Sequence, residues 1–132
     1  MDNKKCSQCN QNKPINEFYS RSGSSKKPYD RCKTCFNQYC TERWIQKKID
    51  SIIYKGSECI SCGIKYPDEP YVIFDFHHRN PEEKDFDWGK MRLRSFDKIV
   101  KELDKCDLLC SNCHRKKHLF VAPRGIEPRI TL

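Results

Sequence analysis

The sequence predicts a small α+β protein held together by clustered thiols rather than by a large apolar core, and three observations predict it. The chain has 132 residues, 36% of them hydrophobic and 33% charged, too short and too polar to bury the apolar surface that a core needs. It carries ten cysteines, and eight of them fall in four C-x-x-C pairs: Cys6/Cys9, Cys32/Cys35, Cys59/Cys62 and Cys110/Cys113. Between the pairs, helical and strand-like periodicities alternate. Two thiolates three residues apart can turn around one small cation, and two such knuckles complete a tetrahedron. The expected class is therefore small, α+β and zinc-stabilised, with two structural Zn²⁺ ions. Pairing in chain order gives Cys6, Cys9, Cys32 and Cys35 to the first, and Cys59, Cys62, Cys110 and Cys113 to the second. No apolar run approaches the ~18 residues of a membrane span. The N-terminal MDNKKCSQCNQNKP has no apolar h-region, so an intracellular, reducing location is expected. There, close cysteine pairs read as metal ligands, and a disulfide framework is the alternative.

The elements follow in order. Residues 1–36 read as a turn-rich zinc knuckle with four cysteine ligands, and with a flexible basic loop over Ser20–Tyr29. From Lys33 to about Tyr54, Phe36, Tyr39, Cys40, Trp44, Ile45, Ile49, Ile52 and Ile53 recur at helical spacing. One long amphipathic helix is expected there, ended by Gly56, with residues 37–56 linking the two modules. Its polar face carries Arg43, Lys47 and Lys48, solvated or in contact with phosphates. Cys40 reads as a small apolar residue on this helix. Residues 57–120 form the second module. Tyr71–Phe76 is a β-rich run ending at His77-His78, Asn80-Pro81 forces a turn, and Lys84–Trp88 is expected to return as a short antiparallel strand. Ser95 is a candidate N-cap for a helix over Phe96–Leu103, with Phe96, Ile99, Val100 and Leu103 on one face. Leu108-Leu109 leads into Cys110, and a helix is expected to start around His114. Residues 121–132 read as a flexible tail.

Charge is unevenly placed. The formal net charge is +8; residues 1–55 hold 12 basic and 5 acidic residues, and residues 56–132 hold 14 and 13. Two zinc sites of four thiolates would each contribute about −2, leaving roughly +4. An excess concentrated in the N-terminal half suits a polyanionic partner.

All four histidines, His77, His78, His114 and His118, lie in the second module. His114 and His118 are spaced i, i+4 and share a helix face. Neighbours on a strand point opposite ways, so His77 and His78 are expected to do different jobs, one facing a metal and the other a substrate.

The string Cys59-x-x-Cys62, Phe76-His77-His78-Arg79-Asn80-Pro81, then Leu108-Leu109-Cys110-Ser-Asn-Cys113-His114-Arg-Lys-Lys-His118 resembles an HNH endonuclease. It is similar to the zinc-containing HNH proteins of phage and bacterial genomes, the recombination endonuclease VII group among them. The N-terminal Cys6/Cys9 and Cys32/Cys35 stretch resembles a zinc-knuckle segment often fused ahead of such domains. The resemblance covers roughly residues 4–118, and it implies the ββα-metal fold, with His77 and His114 holding one divalent cation. His78 falls on the general base, and His118 sits where some members have a further metal-binding histidine. DNA, double-stranded or branched, is the implied partner, and a phage or bacterial cytoplasm the implied setting. The catalytic cation would be Mg²⁺, Mn²⁺ or another transition metal, the last better suited to imidazoles. Where the family usually carries its central asparagine, this chain has Lys105-Cys106-Asp107, so the usual support for the general base is missing.

The chemistry is coherent without the family name. Phosphodiester hydrolysis needs an activated water and neutralisation of the charge on the leaving 3′ oxygen. A single hard cation and a neutral imidazole can supply them. Arg79, Arg115, Lys116 and Lys117 surround the histidines and could hold flanking phosphates, or be solvated. The competing readings are a nucleic-acid-binding module that does not cut, and a structural zinc protein. No membrane partner is expected, and the long helix is a candidate homodimer seam.

Overall fold

The computed structural model describes residues 2–22 and 26–118. The chain forms two compact units, one up to Gln46 and one from Lys47 onward. The boundary falls inside the long helix and within the expected linking segment over 37–56. Residues 121–132, expected as a tail, lie outside the described residues. Among the described residues no helix is long and apolar enough to cross a membrane.

In the first unit, strands β1 (Asn3–Lys5) and β2 (Asn12–Pro14) pair antiparallel, a hairpin that the turn-rich reading did not foresee. The first knuckle is the turn between them. Asn10, at φ 62°, lets the chain reverse, so that its N–H reaches the Cys6 carbonyl at 3.0 Å and the Cys6 N–H reaches the Gln11 carbonyl at 3.0 Å. The ends of the basic loop pair with each other, Arg21 N–H to Lys27 O and Tyr29 N–H to Tyr19 O, both at 2.8 Å. The buried core of this unit is Cys6, Phe18, Cys32 and Cys35. Thiols replace apolar side chains, as the composition requires. Helix α1 (Lys33–Tyr54) begins directly after Cys32 and has the bounds that the periodicity predicts.

In α1 the apolar stripe is shallower than its spacing suggests. Phe36, Tyr39, Cys40, Trp44, Ile45 and Ile49 are half-buried. Ile52 is fully buried, while Ile53 is 55% exposed. Gly56, at φ +96°, ends the helix in the left-handed region where a side chain would be strained.

The second unit is organised by strands β3 (Phe74–His78) and β4 (Cys106–Cys110). They pair antiparallel with Phe74 opposite Cys110 and His78 opposite Cys106. Between them lie helices α2 (Trp88–Met91) and α3 (Phe96–Leu103), and helix α4 (Ser111–Lys117) follows β4. Two sequence expectations need correction. Tyr71–Ile73 is a 3-10 turn after Pro70, so the strand starts at Phe74 and includes both histidines. The return strand over Lys84–Trp88 does not form; the Asp87 carboxylate accepts from Lys90 N–H and caps α2 instead, and β4 partners β3. Helix α3 has its expected bounds, but its inward face is Ile99, Glu102 and Leu103, and Phe96 stays 39% exposed.

Alternation along β3 divides its side chains. Phe74 packs with Ile52 and Leu108. Phe76 meets the cluster of Met91, Ile99 and Leu103, and its ring lies 5.1 Å from that of Trp88. Asp75 and His77 take the other face, where α4 folds back over the hairpin and His114 reaches Asp75.

Candidate functional site

The two tetracysteine groups can each hold a metal ion, with all sulfurs within 4.8 Å of one another. All eight thiols are free of disulfides. A tetrahedral zinc with Zn–S of about 2.3 Å sets sulfurs about 3.8 Å apart, and Cys62 and Cys110 lie 3.7 Å apart. The two groups are built alike. In the second knuckle Gly63, at φ +83°, does what Asn10 does in the first. Gly63 N–H meets the Cys59 carbonyl at 2.9 Å, and Cys59 N–H meets the Ile64 carbonyl at 2.9 Å. The later pair of each group lies at the start of a helix, Cys32/Cys35 at α1 and Cys110/Cys113 at α4, where the helix dipole favours thiolates.

Within each group the four sulfurs are not electrostatically equivalent. Burial opposes ionisation of Cys6, but N–H groups of Cys32, Cys9 and Gln8 outweigh it and bring its pKa down to about 5. Cys59 comes down to about 6 against its burial, through N–H groups of Cys110, Cys62 and Ser61. Burial and neighbouring sulfurs push Cys35 up to about 12, and Cys110 beside it with burial does the same to Cys113. Four sulfurs this close cannot all ionise by themselves, and a cation among them resolves the conflict.

The third cluster is imidazole. His77, His114 and His118 place one ring nitrogen each within 4.8 Å of the others, with ring centroids 4.9 to 5.2 Å apart. All three expected ligands thus come together. His114 Nδ1–H donates to the Asp75 carboxylate at 3.0 Å, which leaves its Nε2 lone pair free, 3.1 Å from His118 Nε2. Two nitrogens on one tetrahedral zinc would lie about 3.3 Å apart. Burial and the two neighbouring imidazoles hold the His77 pKa below the usual histidine value, which favours the neutral, ligating form. The donor set suits a divalent transition metal.

His78 points the other way, as strand alternation demands. Its Nε2 donates to Glu102 Oε1 at 2.6 Å, and the two residues are only 9% and 2% exposed. The same oxygen accepts from the N–H groups of Asp85 at 3.1 Å and Phe86 at 3.3 Å, and the other oxygen from Lys105 Nζ at 3.1 Å. Burial alone would raise the Glu102 pKa, but the bonds from His78, Lys105, Phe86 and Asp85 lower it below the usual carboxylate value. Glu102 is thus the residue that holds the His78 ring in place. Cys106 is buried and its thiol donates to the Glu102 carbonyl at 3.4 Å.

The basic residues fare differently from one another. Arg43 is exposed, with its guanidinium 5.5 Å from the Tyr39 ring centre. Lys47 is turned inward rather than outward, onto the carbonyls of Arg92 and Arg94 at 3.0 Å each. Arg79 spends its guanidinium on the Cys106 and Asp104 carbonyls and on the Asp107 carboxylate, so both cations are engaged within the protein. Arg115, Lys116 and Lys117 are exposed on α4. Lys48 lines a cleft of about 300 Å³ with Asp75, Phe76, His78, Trp88 and His114. Sequence reasoning missed Glu102 and Asp75. The signals were there: an acid on the inward face of α3, and an acid two residues before His77 in an otherwise apolar strand. Comparison with family models, with curated proteins and with solved structures found no match to this chain.

Proposed function

We propose that the chain is a metal-dependent endonuclease of the HNH kind, with β3, β4 and α4 as its ββα-metal element. The observation that carries this reading is the pairing of two different histidine environments on adjacent residues. His77 joins His114 and His118 in a three-imidazole cluster, while His78 is held by a buried carboxylate. A purely nucleic-acid-binding protein has no need of such a cluster, because the eight cysteines already satisfy two structural metals.

In this reading His77, His114 and His118 hold one divalent cation, and Asp75 fixes the tautomer of His114. Once bound, that cation would supply Lewis-acid stabilisation of charge on the scissile phosphate and on the leaving 3′ oxygen. His78 is the general base. Its Nε2–H is committed to Glu102, so the lone pair that accepts a proton from water is on Nδ1. Glu102 holds the ring in that tautomer and favours the imidazolium that forms. Exposed cations, including Arg115, Lys116 and Lys117, engage phosphates of the DNA partner without reading sequence.

The test is cleavage of supercoiled plasmid by the purified chain with added Mg²⁺, Mn²⁺ or Zn²⁺, beside His78→Ala. Metal-dependent nicking or linearisation by the wild type, lost in the variant, is expected. DNA binding without cleavage under every cation overturns the reading and leaves the non-catalytic binding module in its place.

A further inference from the structure

The cleft beside His78 has a feature that hydrolysis alone does not require. Its wall includes Phe76 and Trp88, whose rings brace each other at 5.1 Å and 44°. Facing the same space is Lys48, delivered by α1. The neighbouring cations Lys47 and Arg79 are tied to carbonyl oxygens. Lys48 is half-buried and, among the described residues, no hydrogen bond engages its ammonium. Asp75 attracts it electrostatically, but that carboxylate already accepts from His114. Burial holds the Lys48 pKa below the usual lysine value, the mark of an ammonium that has lost water without gaining a full counter-ion. Asp87 also lines the cleft, with its carboxylate engaged on the Lys90 N–H. Lys84 adds a second cation to the wall.

A half-buried cation in a cleft with an aromatic wall matches the two parts of a nucleotide. A phosphate oxygen restores the bonds that the ammonium lacks, and a base or sugar face packs on an indole. About 300 Å³ is the lower end of the range of ligand pockets, room for one nucleotide unit and not for a duplex segment. His78 and His114 line the same space, so a phosphate there lies beside both kinds of histidine. We propose that this cleft seats the single nucleotide unit adjoining the bond that is cut, with Lys48 on a non-bridging oxygen of its phosphate and Trp88 against its sugar and base. The inference rests on the endonuclease reading and deepens it: the substrate is a strand locally drawn out to present one nucleotide to the cleft.

The test separates the two claims. In a Trp44→Phe background Trp88 is the sole tryptophan, and thymidine 3′,5′-bisphosphate is the probe. Saturable quenching of Trp88 is expected, weakened at least about tenfold by Lys48→Met. On a short duplex at saturating protein, Lys48→Met should lower the single-turnover cleavage rate by about 10²-fold, the size seen when one transition-state donor is removed. Duplex affinity should stay within about threefold, and Lys48→Arg should recover part of the rate. Should the wild type cut DNA while Lys48→Met cuts equally fast, the cleft assignment falls and the nuclease reading stands. Should the wild type cut nothing yet Trp88 be quenched in a Lys48-dependent way, the nucleotide site stands and the nuclease reading falls. An absence of quenching overturns the assignment directly.

Discussion

Replacing Glu102 by alanine should destabilise the second unit strongly, and the structure gives the size. Four donors converge on this carboxylate: His78 Nε2, Lys105 Nζ, and the N–H groups of Asp85 and Phe86. Lys105 keeps Asp85 Oδ2 at 2.7 Å and the Glu83 carbonyl at 3.0 Å, so its loss is small. His78 is left buried without its partner, which costs about 1–3 kcal/mol. The two N–H groups lie in a partly exposed stretch and recover water in part, losing about 0.5–1.5 kcal/mol each. The sum, about 2–6 kcal/mol, brackets the roughly 3–5 kcal/mol lost when a buried charged pair is broken. For a unit of this size it lowers Tm by about 8 °C or more. Glu102→Gln keeps an acceptor oxygen and loses the charge, so about 1–2 kcal/mol is expected. The assay is denaturant unfolding at fixed zinc in a Trp44→Phe background, followed by the fluorescence of Trp88. The sign with pH follows from the lowered pKa of Glu102, ordinarily 4.5. The difference between wild type and Glu102→Gln is fully present above that value and shrinks as pH falls through the lower folded-state value. A Glu102→Ala protein within about 1 kcal/mol of wild type, or a difference that grows in acid, would show that the carboxylate does not hold this network.

Other outcomes follow from the same geometry. Protein purified without added zinc should carry close to two equivalents of tightly bound metal, and a strong chelator should unfold both units, since such sites contribute ~10 kcal/mol or more of apparent binding energy; a chelated chain that keeps its circular dichroism would refute this. His78→Ala should lose about 10²–10⁴-fold of cleavage at every metal concentration, whereas His77→Ala and His114→Ala should recover partly as Mn²⁺ is raised. The reverse pattern in a metal titration would swap the two roles. Replacing Arg115, Lys116 and Lys117 by alanine should flatten the dependence of log Kd on log salt by up to ~0.9 for each phosphate no longer neutralised, with thermal stability unchanged, while Arg79→Ala should instead lower stability.

What the sequence disclosed and what it hid divide along a physical line. Local signals survived: the C-x-x-C spacing, the helical stripe from Lys33 to Tyr54, the breaker Gly56 and the start at Ser95 all act within a few residues. The partner of the histidine strand did not, because Cys106–Cys110 lies far along the chain and Lys84–Trp88 looks equally extended in isolation. Asp87 decides that segment by capping Trp88–Met91, and a cap followed by one turn of helix leaves almost no periodicity to read. The three imidazoles were legible because His114 and His118 share a helix face and Cys113 ties them to a thiol group. Glu102 was not. An acid on a helix normally faces water, and only the arrival of His78 from a distant strand makes this position inward.

The sequence Cys113-His114 carries the deepest coupling in the molecule. One residue belongs to the second tetracysteine group and the next to the imidazole cluster, and both ride on the first turns of α4. The Cys110 sulfur accepts from the Cys113 N–H at 3.4 Å, so the thiol group itself shapes the turn that aims His114 at Asp75. The dependence runs in one direction. Loss of a cation held by the imidazoles would leave α4 anchored by its thiols and by Ser111, whose hydroxyl donates to the Ile73 carbonyl at 3.0 Å. Loss of a metal held by the thiols would free the start of α4, and with it the common placement of His114 and His118 beside His77. The structural group is in this sense a precondition of the histidine group.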